Sequence, residues 1–297
     1  AEFREAVARL PMAYPIFCGV VLLILLGARR WFHRHLVETG RRTRRISSDR
    51  YLHTVKALFL TFLLAAPIPL VLLFVAIPIL YMGGSDASGW MFTVGAELLV
   101  LTAFFTKGCF LFVLCRKEGL GEAHFHWARE ITSRLRRLVA WLLPVWGIGK
   151  LVLAAVEVEP SGAYLDSMGR VAGLFIVIGA GLPFAQVMHP ETGIAAAIHR
   201  KHSKSLFGKL RQVWYVLILG LVAFLSGLLL AGYVYTVSLL MDRVELSLGA
   251  IVSAYSIYGL ILRWFLIRQR KLALEDLRKK RQERIEAARK EAEEAHG

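Results

Sequence analysis

Runs of roughly 20 apolar residues recur along this chain, the length a helix needs to cross ~30 Å of hydrocarbon at 1.5 Å per residue. A water-soluble domain has nowhere to hide so many. Hydrophobic residues make up 56% of the 297 positions and the mean hydropathy is +0.53, which leaves too little polar sequence for a solvated surface. Seven segments qualify or nearly qualify as spans: Tyr14 to Ala28, Ala57 to Leu80, Met91 to Leu114, Leu138 to Val156, Val171 to Met188, Trp214 to Leu240 and Leu246 to Ile267. The pattern predicts an all-α integral membrane fold, a polytopic bundle of about seven transmembrane helices. Residues 1–10 read as the end of an external (periplasmic) segment, 11–267 as the bundle and 268–297 as a charged cytoplasmic linker helix. The start at Ala1, without a Met or a basic signal region, and the unfinished charged end suggest a piece of a longer polypeptide.

The formal charge of +15 would raise nucleic-acid binding in a soluble protein, but its distribution points elsewhere. Of the 37 Lys and Arg residues, 30 fall in alternate interhelical segments and in the tail, on one side of the predicted membrane. Only Arg4, Arg9, Arg170 and Arg243 fall on the other, among the acidic Asp86, Glu157, Glu159, Asp166, Asp242 and Glu245. Basic loops stay in the cytoplasm, so the expected topology is multi-pass, N-terminus outside and C-terminus cytoplasmic. The basic residues then serve topology and anionic lipid, with no nucleic-acid partner. Inner-leaflet lipid contact is expected for Arg29, Arg30, Arg41, Arg42, Arg44, Arg45, Arg134, Arg137 and Arg263.

Inside the spans, Pro67, Pro69 and Pro78 each remove a backbone donor and crowd the carbonyl four residues back, predicting a kink in the second span. Gly220, Ala223, Gly227 and Ala231 recur at spacings of three and four, a small-residue stripe suited to close helix packing; Gly249 and Ser253 offer a smaller one. Buried charges in a membrane need partners. Glu97 and Lys150 lie at similar depths in the third and fourth spans, ~9 Å from the outer surface, and are expected to pair. Lys107 and Arg263 sit nearer the cytoplasmic ends and are expected to snorkel to headgroups.

Phe125, Trp127, Ile131, Leu135 and Leu138 alternate with Arg129, Glu130, Arg134 and Arg137 at near-helical spacing, predicting an amphipathic helix on the inner surface. The tail carries Glu275/Lys279, Asp276/Lys280 and Glu286/Lys290 at i,i+4 spacing, as a solvated helix does, and its apolar residues are too sparse for a coiled coil. Cys18, Cys109 and Cys115 match no zinc or disulfide spacing and read as small buried hydrophobes. His124 and His126, two apart, point to different faces of a helix. No catalytic constellation, metal site or cofactor site is expected, and the chain reads as a non-enzyme.

Several stretches, in order, resemble the large MscS-type mechanosensitive channels of the KefA/MscK-like group, in their first inner-membrane domain upstream of the pore. They are the Arg-rich loop ending Arg50-Tyr51-Leu52-His53-Thr54, then Gly121-Glu122-Ala123-His124-Phe125-His126-Trp127, then Asp166-Ser167-Met168-Gly169-Arg170. Gly232-Tyr233-Val234-Tyr235-Thr236 and Arg263-Trp264 with Leu272-Ala273-Leu274-Glu275 complete the series. The resemblance implies a bacterial inner membrane with the N-terminus periplasmic, a periplasmic domain before Ala1, and after Gly297 a pore helix and a vestibule in a heptameric homo-oligomer. Because the family's channel module begins outside and this tail ends inside, one further span is expected between them. The function implied is non-enzymatic: sensing bilayer tension or curvature and passing it to a downstream pore module of the same polypeptide, with lipids and sister subunits as partners. A self-contained seven-helix receptor and a secondary transporter are the alternatives. A retinal protein needs a Lys in the seventh span, where this chain has Arg263, and the paired broken helices of transporters have no clear twin here.

Overall fold

The computed structural model describes residues 13–43, 51–83, 90–157, 164–201 and 209–294, and among these residues the chain is helical with no strand. The helices in order are α1 Ala13–Gly27, α2 Arg29–Thr43, α3 Tyr51–Ala65, α4 Pro67–Gly83, α5 Trp90–Leu114 and the one-turn α6 Leu120–Ala123. They continue with α7 Arg129–Glu157, α8 Arg170–Val187, α9 Ile194–Lys201, α10 Arg211–Leu230 and α11 Val234–Glu294. Five of these are long and apolar enough to cross a membrane, and up to seven spans result if each of two bent pairs counts as one. The all-α polytopic bundle is as expected. Residues 1–10 and Arg44 and Arg45 lie outside the described residues, as does the side chain of Arg42.

The two bent pairs are α1 with α2, at 46°, and α3 with α4, at 54°. The second bend follows from sequence. Pro67 and Pro69 carry no N–H for the carbonyls of Leu63 and Ala65, so the ladder fails at Ala66. Pro78, by contrast, lies inside α4 without breaking it. The carbonyl it deprives is that of Phe74, and the Tyr14 hydroxyl of α1 donates to it at 3.1 Å. Pro183 in α8 repeats the device: it deprives the Gly179 carbonyl, which accepts the indole N–H of Trp141 from α7 at 2.8 Å. In hydrocarbon no water can do this, so a neighbouring helix must.

Two clusters of buried side chains organise the packing. One joins α7, α8, α10 and α11 through Trp146, Leu153, Ile176, Leu225, Leu229 and Val237. The other joins α2, α3, α5 and α6 through Leu36, Leu60, Leu64, Val113, Leu114 and Leu120. Phe104 of α5 stacks on Trp146 of α7 at 5.3 Å between centroids, linking the two halves. The three cysteines are free and buried.

Three expectations are corrected. The sixth and seventh spans do not divide between Leu240 and Leu246. The chain turns at Ala231 to Tyr233, where Gly232 has φ +98°, and α11 then runs unbroken for 61 residues, ~90 Å. The boundary between bundle and tail helix at 267 is therefore not a structural break. The small residues of α10 face no neighbour: a Cβ on Gly220 or Gly227 would meet nothing within 4 Å, and Ala223 and Ala231 are exposed. The α8–α10 contact instead uses small residues of α8, where a Cβ on Gly173 would lie 2.7 Å from Leu229 Cδ2. Finally, there is no separate amphipathic helix. Residues 124–128 are non-helical, Phe125 and Trp127 fold onto the Leu36 cluster, and α7 carries Arg129 to Leu138 as an extension of its span. At 29 residues, ~43 Å, α7 exceeds the hydrocarbon thickness.

Candidate functional site: the seam between the bundle and the long helix

Helix α11 is the element that leaves the bundle, and little of it is fastened. Only 11% of its most apolar 18-residue window is buried. Leu246, Ile251, Ile257, Tyr258, Ile261 and Phe265 all face outward, an apolar exterior that suits lipid. The inward stripe runs through Met241, Glu245, Gly249, Val252, Ser256, Gly259, Arg263 and Ile267, at steps of three and four. It is small or polar at most positions, the reverse of a soluble amphipathic helix.

Two ion pairs stand on or beside this stripe. Lys150 of α7 meets Asp242, with Nζ 2.5 Å from Oδ1, and the Lys150 residue is only 8% exposed. Lys107 of α5 meets Glu245, with Nζ 2.6 Å from Oε1. A Cβ on Gly249 would lie 3.0 Å from Lys107 Cδ, so the glycine one turn below Glu245 gives the lysine stem its path across α11. Gly249, read as a packing position, thus makes room for a charged side chain. The Lys107–Glu245 pair borders a cavity of about 390 Å³ between α5, α7, α8, α10 and α11, apolar except where these two reach its wall.

The expected partnership of Glu97 with Lys150 is not formed: Lys150 takes Asp242, and no Glu97 ion pair within 4.0 Å occurs among the described residues. Lys107 pairs across the bundle rather than snorkelling. The sequence pattern places Asp242 and Glu245 in an external loop. They sit ~12 and ~16 Å into α11. The signal that would have placed them is Gly232, a helix-stopping glycine directly after the apolar run of α10.

Below the ion pairs the stripe meets the loop between α5 and α7. Trp127 and Tyr255 rings lie 5.6 Å apart, and a Cβ on Gly259 would lie 3.0 Å from the Phe125 ring. Arg263 is 2% exposed, so its expected lipid contact is corrected too. It lies in Coulombic reach of His124, itself 1% exposed, whose Nδ1 is 3.2 Å from the Thr54 hydroxyl. Burial first, and then the Arg263 charge, push the His124 imidazole down to about 3, so it is neutral near pH 7.

Among the other basic residues, Arg29, Arg30, Arg41 and Arg137 are exposed. Arg134 is tied to Glu130 at 3.0 Å, and Glu130 also accepts Arg200 of α9 at 3.1 Å. Among the described residues no group of three His, Cys, Asp or Glu side chains is arranged to hold a metal ion.

Residues from the stretches that carried the family resemblance meet at two places. Thr54, His124 and Arg263 form one end of the seam. At the other end, the Arg170 guanidinium reaches the turn at Gly232, where a Cβ would lie 3.1 Å from its nitrogen. The family model described as mechanosensitive ion channel inner membrane domain 1 matches residues 11–297. The chain is 26% identical over 292 residues to the miniconductance mechanosensitive channel MscM of Escherichia coli K12, a match covering 95% of this chain and 25% of that protein. It thus spans about a quarter of the length of the relative it matches, and no solved structure matches it. Helices, apolar spans and a match over nearly the whole length agree: the chain belongs to the mechanosensitive ion channel inner membrane domain 1 family, as a multi-pass domain of the inner membrane.

Proposed function

We propose that this domain senses bilayer tension or curvature and passes it through α11 to a pore module elsewhere in the same polypeptide. The observation that carries the reading is the continuity of α11. One helix holds the membrane-depth ion pairs at its upper part and the charged tail at its lower part, without a break between Val234 and Glu294. A lateral displacement at Asp242 or Glu245 therefore becomes a displacement at the tail. Bent, loosely fastened spans match a thinned bilayer differently from a relaxed one, and tension favours the better match. The basic loops are on the cytoplasmic side in this reading, the N-terminus periplasmic, and the working unit is a homo-oligomer, a heptamer by resemblance. Moving Arg243 from an outer loop into α11 leaves the charge asymmetry intact. Accessible basic residues such as Arg30, Arg41 and Arg137 then meet inner-leaflet lipid.

The test is patch-clamp recording of the full-length protein in membranes lacking other mechanosensitive channels. An Ala273→Pro substitution, which breaks α11 below the membrane, is compared with Glu245→Met, which loosens it within. The reading expects the first to uncouple gating from tension and the second to shift the gating tension. An unchanged tension in both would reduce the domain to an anchor.

A further inference from the structure

Three arginines outside the seam have no carboxylate within 4.0 Å among the described residues. Arg116 follows the end of α5, one turn beyond Phe112. Arg136 of α7 places its guanidinium carbon 4.6 Å over the Phe112 ring. Arg29 opens α2 one turn before Phe32, which packs against the buried cluster that holds Leu36, Leu114 and Cys115. Two helix ends and one helix flank thus bring three cations to one rim of the bundle.

Burial, then the charges of Arg136 and Arg29, push the Arg116 guanidinium below its usual range. Like charges so close are costly unless an anion offsets them. No carboxylate lies within 4.0 Å of any of the three among the described residues. Of the acidic groups in this region, the Glu122 carboxylate accepts the Thr132 hydroxyl at 2.8 Å and the Glu118 backbone amide at 3.2 Å. Arg136 is held over an aromatic face, which orients its donors without satisfying them. Guanidinium forks are matched to phosphate oxygens.

We infer that Arg29, Arg116 and Arg136, gathered at the rim where α2 begins and α5 ends with Arg136 held over Phe112, form a site for one phosphate group, that of an anionic phospholipid. The site rests on the membrane placement used above, though not on the gating role. It differs from general attraction between basic loops and headgroups in requiring these three side chains together. A bound lipid would tie α2, α5 and α7 at one point.

The full-length protein, reconstituted in nanodiscs of phosphatidylcholine with about 20% phosphatidylglycerol, tests this by native mass spectrometry of retained lipid. The wild type is expected to retain phosphatidylglycerol selectively. Each surface cation is worth about 1 kcal/mol of anionic-lipid attraction, about fivefold, so Arg116→Gln with Arg136→Gln should lower retention about 25-fold. A Lys280→Gln/Arg284→Gln control in the tail should not change it. Should the double variant fail to fold, Arg29→Gln alone, at an exposed position, must lower retention about fivefold. Equal retention in wild type and variants overturns the site. Displacement of phosphatidylglycerol by millimolar inorganic phosphate overturns the lipid assignment in favour of a soluble phosphate. Because retention is read without gating, a failure of the tension-sensing reading leaves this result standing, and the reverse also holds.

Discussion

Replacing Glu245 by Met removes the carboxylate that Lys107 reaches at 2.6 Å, and the structure sets what that costs. The Glu245 side chain is 13% exposed, that of Lys107 38%, and the cavity beside them offers no polar alternative. Breaking a buried pair by removing one partner costs about 3–5 kcal/mol, whereas replacing both by apolar residues of similar volume is often neutral or better. Lys107, being more exposed, can swing away, so Glu245→Met should cost about 2–3 kcal/mol, toward the low end for that reason. Lys107→Met should cost more, about 3–5 kcal/mol, because it strands the better-buried carboxylate. The double variant, Lys107→Met with Glu245→Met, should return to within about 1 kcal/mol of wild type. The coupling is then at least about 4 kcal/mol, above the ~0.6 kcal/mol average for neutral hydrogen bonds between membrane helices. The assay is a double-mutant cycle on thermal unfolding of the reconstituted protein, repeated on gating tension. Loosening the resting arrangement should lower the tension, with about 30-fold more opening at fixed tension for each ~2 kcal/mol. Additive single effects, with the double variant the worst of the three, would refute the claim that these residues act as a pair.

Further outcomes follow from the same contacts. Gly249→Leu must displace the Lys107 stem and should destabilise by about 1–3 kcal/mol, whereas Gly220→Ala, with nothing within 4 Å, should leave the isolated domain's melting temperature unchanged. Trp141→Phe strands the Gly179 carbonyl and should cost about 1–3 kcal/mol. In a Pro183→Ala background, where residue 183 regains its own N–H, the same substitution should be close to neutral in the same melting assay. For His124 the folded value, about 3, lies below the ordinary 6.5, so the neutral form is the one that folding favours. Its stabilisation is full above pH 6.5 and is lost as pH falls toward 3, at up to ~1.4 kcal/mol per pH unit. Wild type should lose about 2 kcal/mol between pH 6.5 and 5, a loss that His124→Gln abolishes in pH-dependent unfolding.

The spans were legible in the sequence because hydropathy is a property of each segment alone. So was the bend at Ala66, since a missing N–H acts on its own helix. What failed was each inference about a partner. The stripe Gly220, Ala223, Gly227 and Ala231 shares one face of α10 as its spacing requires, but spacing defines a face without saying what lies opposite. Asp242 and Glu245 were read as a loop because a hydropathy count treats every charge as facing water. Tyr14 and Trp141 gave no sign that they serve the carbonyls of Phe74 and Gly179, 60 and 38 residues away.

These failures have a common physical cause, and it bears on function. Apolar side chains gain little from one another over lipid tails, so they do not fix where a membrane helix sits. Polar atoms do, because each must find a partner inside the protein. Beyond the Val237 and Met241 end of α11, its described attachments include Lys150 and Lys107 above, and below them the buried Arg263 and the loop carrying Phe125 and Trp127. Between these attachments the helix borders an apolar cavity and lipid. Its position therefore depends on a small number of separable contacts rather than on a continuous packed face. Rearranging such contacts takes a few kcal/mol, the scale on which a two-state equilibrium is shifted. A helix seated by a wide interdigitated core would resist the same displacement along its whole length. The seam is weak where the proposed role needs it to yield and continuous where that role needs force to travel.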